Sequence, residues 1–188
     1  MRLFVALDIP ENVRSVLAAL VNRLRAACPG ARWVRPEGIH VTLKFIGEVP
    51  TEKPDVIKSA LATLPGRAPI SLNFEGLGFF PSERRPRVLW AGIRCGPELA
   101  ALAEAVETAL VPAGIPREDR AFSPHLTLAR FATPGSLAAL HAAIEKAGPL
   151  NFGATAAKEF HLYQSVLKRG GAEYTRLATY SFTGRTTE

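Results

Sequence analysis

The chain has 188 residues, 47% of them hydrophobic, and a formal net charge of +6. That is enough apolar material for a sizeable core, yet no run of about 18 apolar residues exists to span a bilayer. The positive balance favours an anionic partner such as nucleic acid, a nucleotide or phosphate. Two cysteines, Cys28 and Cys95, stand far apart with no Cys-x-x-Cys, so neither a structural zinc site nor a disulfide scaffold is expected, and a reducing cytoplasm suits the chain.

The first stretch, RLFVALDI (2–9), is rich in strand formers and reads as a buried strand, not a signal peptide. Pro10 then opens a helix over 10–27, with Val13, Val16, Leu17, Leu20, Val21 and Leu24 at helical spacing. GIHVTLKFIGEV (38–49) is the next strand, 51–64 a helix and 69–80 a strand carrying glycines. The pattern then restarts, with a strand at 87–93, an amphipathic helix at 96–110, a strand at 123–131 and a helix at 133–147. Strands at 158–167 and 173–182 close the chain, joined by the turn-prone Lys168-Arg169-Gly170-Gly171.

A shift of 85 superposes the two halves: Arg2 on Arg87, Leu17 on Leu102, His40 on His125, Thr42 on Thr127 and Leu77 on Leu162. Internal duplication accounts for this. The predicted architecture is α+β, with two β-α-β-α-β repeats, about 1–82 and 83–188, related by a pseudo-twofold. They form a single bilobed domain, 1–188, with a shared central cleft.

Within each half one strand carries His-x-Thr. Alternation places Ile39, Val41, Leu43 and Phe45 on the core side and His40, Thr42 and Lys44 on the other. In the second copy His125 and Thr127 share a face, and a twist or bulge is expected to turn Arg130 toward the cleft. A hydroxyl there can donate to a phosphate oxygen, and an imidazole can move a proton near neutral pH. Two such units facing each other provide a general base for an attacking water and a general acid for the leaving oxygen. Hydroxyls and cations would stabilise the charge on the phosphoryl oxygens, and the scheme needs no metal or other cofactor. One His-x-Thr alone means little; two in matched frames and strand contexts are a specific signal.

Of the remaining histidines, His141 is expected on a helix surface. His161 alternates onto one face with Tyr163 and Ser165, which makes that trio candidates for lining the cleft. The loop PSERRPR (81–87), with Arg84, Arg85 and Arg87, and the nearby Arg94, offer cations to an RNA backbone. Trp33 is a further candidate to stack on a base. No Gly-x-Ser-x-Gly, Walker loop or carboxylate pair points to a serine hydrolase, an NTPase or a glycosidase.

HVTLKFIGEV and HLTLAR, following an opening RLFVALDIP, resemble the two-histidine (2H) phosphoesterase superfamily. Within it, the chain is most similar to the bacterial and archaeal RNA 2′,3′-cyclic phosphodiesterases, once called 2′-5′ RNA ligases (LigT-like). The resemblance implies metal-free opening of a terminal 2′,3′-cyclic phosphate on RNA to a 2′-phosphate. It casts His40 as proton donor to the departing 3′ oxygen, His125 as proton acceptor from water, and Thr42 and Thr127 as phosphate holders. Arg130 would be a further contact, with Lys44, Arg87, Tyr163 and Ser165 as candidate substrate-binding residues. Expected partners are RNA with a 2′,3′-cyclic phosphate end or a related nucleotide, with no membrane association and a monomeric state. The alternatives are a 2′-5′ RNA ligase, a phosphodiesterase of small cyclic nucleotides, or a non-catalytic RNA-binding module.

Overall fold

A computed structural model describes residues 1–132, 137–169, 171–183 and 186–187. The start of the predicted helix at 133–147 and residue 170 of the predicted turn lie outside them. The elements in order are β1 (Arg2–Asp8), α1 (Glu11–Ala27), β2 (Arg32–Trp33), a 3-10 turn (Pro36–Gly38), β3 (His40–Glu48), α2 (Lys53–Ala62) and β4 (Ile70–Phe80). They continue with β5 (Val88–Cys95), α3 (Pro97–Leu110), β6 (His125–Arg130), α4 (Ala138–Lys146), β7 (Asn151–Ala157), β8 (Glu159–Lys168), β9 (Gly171–Ser181) and β10 (Thr186–Thr187).

The helices form where apolar spacing and start signals agree. Helix α1 buries Val13, Leu17, Leu20, Val21 and Leu24, while Val16 from the same apolar set is left exposed. Pro97 opens α3 at a position where its missing N–H costs nothing, and Leu99, Leu102, Ala103, Val106 and Leu110 are buried. Helix α1 packs against α4 and β7, and α2 against α3. None of the described helices is long and apolar enough to cross a membrane.

Two antiparallel five-stranded sheets carry the core, ordered β10-β9-β8-β1-β3 and β2-β6-β5-β4-β7. The sheets do not coincide with the sequence halves. Strand β8, late in the chain, pairs with β1, and β4 pairs with β5. Around the pairs β1–β3 and β5–β6, β4 of the first half joins the second sheet, and β8 and β9 of the second half join the first. The motif strands β3 and β6 lie in different sheets but against one another.

The offset of 85 holds between β3 and β6 but not along the whole repeat. Asp8 lies opposite His40 and Gly92 opposite His125, so β1 and β5 correspond at a shift of 84. A slip of one residue moves a side chain to the other face of a strand. Arg2 and Arg87 are consequently not equivalent, and they end in different places.

Both motif strands carry a bulge at the same point of the repeat. Val5 pairs with Lys44 and Ala6 with Thr42, which leaves Leu43 over. Leu89 pairs with Ala129 and Trp90 with Thr127, which leaves Leu128 over. An extra residue inverts the alternation beyond it. Lys44 and Ala129 therefore turn inward, while Phe45 and Arg130 turn out to the cleft. The predicted placement of Arg130 is met, and that of Lys44 and Phe45 is reversed.

Candidate active site

Between the sheets lies a cleft of about 500 Å³ whose wall includes His40, Thr42, Thr127, Arg130, Ser165 and Tyr174. Thr42 and Thr127, predicted to converge, do so. His125 is not part of this wall; alternation puts it on the face of Thr127, and its ring and that of Phe80 meet edge to face at 4.9 Å between centroids. Arg2 and Phe45 also border the space.

Both imidazoles are tied to the backbone two residues upstream. Nδ1 of His125 lies 2.8 Å from the carbonyl oxygen of Ser123, and His40 bonds the backbone of Gly38. A carbonyl partner on one nitrogen fixes the tautomer and leaves the other nitrogen for chemistry. The His40 ring stacks on Phe4 at 4.6 Å and meets Tyr174 edge-on at 5.4 Å. Gly38 belongs to this cage, because a Cβ there would meet the Tyr174 ring at 3.0 Å.

Burial pushes the pKa of His40 down to about 4, against the raising effects of the Gly38 backbone bond and the Asp8 carboxylate. Burial also lowers that of His125; there the Ser123 bond opposes the shift and Arg130 adds to it. His40 thus has a charge of each sign nearby, Asp8 favouring and Arg14 opposing its protonation, whereas His125 has only the guanidinium of Arg130.

Several predicted contacts stand elsewhere. Lys44 is buried, with Nζ 2.7 Å from both Glu107 Oε2 and the Pro116 carbonyl, so it is a core ion-pair partner and does not reach the cleft. Arg87 donates to the Ala132 carbonyl and is absent from the cleft wall, a result of the slip in the repeat. Tyr163 is not part of the wall either. Its hydroxyl donates to Asp8 at 2.6 Å and its ring stacks on Phe4 at 5.3 Å, so it supports the platform beneath His40. Burial and that bond to Asp8 push its pKa up to about 12.

His161 is buried behind the same carboxylate, 3.6 Å from Asp8 and 3.0 Å from the Thr179 hydroxyl, and so does not line the cleft. Arg176 completes the cluster at 2.5 Å from Asp8. His141 packs on Phe79 at the edge of α4. Trp33 spends its indole N–H on the Cys28 carbonyl. Sequence reasoning missed Arg2, Tyr174 and Asp8. The only local signal was the period of two along β1, which puts Arg2 on the face of Phe4.

His40 and both hydroxyls on one cleft, with His125 two residues before Thr127 on the matched strand, fit a phosphoesterase of the two-histidine type. The comparisons agree. A family model described as LigT like Phosphoesterase matches residues 7–90 and 94–174. A curated Archaeoglobus fulgidus protein named RNA 2′,3′-cyclic phosphodiesterase is 34% identical over 180 residues, covering 96% of this chain and 99% of the relative. Among solved structures, TT0787 of Thermus thermophilus superposes with a TM-score of 0.80 at 33% identity, covering 98% of this chain and all of that one. Escherichia coli LigT complexed with 3′-AMP gives a TM-score of 0.73 at 29% identity, covering 96% and 97%. The chain belongs to the LigT-like phosphoesterase family.

Proposed function

We propose that this protein is an RNA 2′,3′-cyclic phosphodiesterase that opens a terminal 2′,3′-cyclic phosphate to a 2′-phosphomonoester without a metal. The observation that carries this is the convergence of His40, Thr42, Thr127 and Arg130 on one cleft, in a chain whose near full-length relatives bear that name. Thr42, Thr127 and Arg130 hold the phosphoryl oxygens. His125 takes a proton from water as the water oxygen bonds to phosphorus. The bond from phosphorus to the 3′ oxygen breaks, and His40 gives that oxygen its proton. Exchange with solvent then restores both imidazoles.

Two asymmetries support this direction. Asp8 favours a proton on His40, against the opposing charge of Arg14, while Arg130 alone among charged groups acts on His125 and disfavours one there. The bound phosphate adds negative charge beside His40 and offsets the effect of its burial. The bulged positions place an aromatic ring, Phe45, on the first-motif side and a cation, Arg130, on the second. A base can lie against the ring while the phosphate lies toward the arginine. We further read the protein as a monomer of the cytoplasm, where Cys28 and Cys95 remain free thiols.

The test is an oligoribonucleotide ending in a 2′,3′-cyclic phosphate, incubated with excess chelator. Accumulation of the 2′-phosphate supports the reading. A 3′-phosphate product would reverse the leaving group, and tight binding without turnover would favour a binding module.

A further inference from the structure

Beyond the cleft mouth a second concavity of about 560 Å³ lies between Arg35, which leads into the 3-10 turn, and the ends of β8 and β9. Leu167 lines both spaces. It is 70% exposed, so its side chain is open to a ligand that lies across both spaces. Arg35 reaches across so that its Nε would be 3.6 Å from a Cβ at Gly171. Lys168 is paired with Glu173 at 2.5 Å, whereas Arg35 and Arg169 have no carboxylate partner among the described residues. The groove thus carries two uncommitted guanidinium groups beyond one exposed apolar side chain.

We propose that this groove binds the RNA strand just upstream of the reacting nucleotide, a reading that rests on the function proposed above. Arg35 and Arg169 would contact backbone phosphates and Leu167 would support the base between them. Single-stranded nucleic acid presents apolar base faces and anionic phosphates in alternation, and proteins meet it with flat apolar contacts and cations in the same order. The chain 5′ of the terminal nucleotide must leave the cleft somewhere. This groove shares a wall residue with the cleft, whereas Arg84 and Arg85 of the 81–87 loop border neither space. The contacts are to backbone phosphates and to the apolar face of a base, so they recognise single-stranded RNA without regard to base.

The test compares a nucleoside 2′,3′-cyclic phosphate with an eight-nucleotide RNA bearing the same end. For the Arg35→Ala/Arg169→Ala double variant we expect the ratio of kcat/KM, oligonucleotide over mononucleotide, to fall roughly tenfold. The salt slope of log(kcat/KM) for the oligonucleotide should shallow by about 1.4, from about 0.7 per lost single-strand phosphate contact. An unchanged ratio, or equal loss on both substrates, overturns the groove while leaving the phosphodiesterase reading intact. The same ratio loss from Arg84→Ala/Arg85→Ala, with none from the groove variant, moves the strand to that loop and also overturns it. If the wild-type protein hydrolyses neither substrate, the functional reading falls and the groove falls with it.

Discussion

Lys44 separates a structural from a catalytic role most cleanly, because its place two residues after Thr42 suggests the cleft and its contacts point to the core. Its side chain is 2% exposed and that of Glu107 12%, with the ammonium also held by the Pro116 carbonyl. Lys44→Ala would leave a nearly buried carboxylate and a carbonyl without their cation. Breaking a buried pair in this way costs about 3–5 kcal/mol. For a chain of this size that corresponds to a Tm lower by roughly 6–20 °C. The matching urea midpoint would fall by more than about 1 M. Replacing both partners, as Lys44→Met with Glu107→Leu, should recover most of that loss, since no unpaired charge remains. Part will stay lost, because Glu107 also accepts the backbone N–H of Glu118 at 3.2 Å. The assay is urea unfolding of the two single variants and the double, together with KM measured where each is folded. A raised KM with stability intact in Lys44→Ala would refute the reasoning and return the lysine to the substrate.

Three other outcomes are expected. With the folded-state pKa of His40 near 4 against an ordinary 6.5, the unfolded chain takes up the proton first as pH falls; stability should therefore drop through that window, by about 2 kcal/mol between pH 7 and pH 5. Urea titrations of wild type and His40→Gln should show the smaller pH dependence in the variant, and equal dependence would contradict the burial argument. Asp8→Asn removes the carboxylate that favours His40 protonation, so NMR titration should place the His40 pKa lower still, with kcat/KM reduced; a higher pKa would remove Asp8 from its positioning role. Gly92→Ala sets a methyl 2.5 Å from the Glu75 carbonyl oxygen, so β4 and β5 must shift beside His125, and we expect a loss of about 1–3 kcal/mol in thermal unfolding, whereas a fully stable variant would show that the strands give way freely.

The paired His-x-Thr units were readable because a period of two and a common offset are both local properties of the chain. The helices were readable for the same reason, as the buried face of α1 shows. Lys44 and Phe45 were misplaced because a bulge depends on pairing with a distant strand, and nothing near Leu43 announces it. Arg87 was misplaced by assuming one constant offset, where β1 and β5 have slipped by one residue. Tyr163 was assigned to the right neighbourhood and the wrong layer, because strand alternation gives a side chain's face but not what stands in front of it. Strand β7 went unread. Asn151–Ala157 is mostly small residues, and its strand character comes from its hydrogen bonds to β4, with Phe152 as its main anchor in the core.

The exchange of β4 and β8 between the sheets has a consequence for how the two ends of the cleft came to differ. Two identical half-chains assembled with the same exchange would bear the same residue at both bulges and beside both imidazoles. Such a cleft could not tell the entering oxygen from the departing one. With the halves joined in one polypeptide, each position varies alone, and here Phe45 is matched by Arg130 and Asp8 by Gly92. Covalent fusion is what gives this cleft a polarity, and the interleaved strands keep that polarity from being lost by separation of the halves.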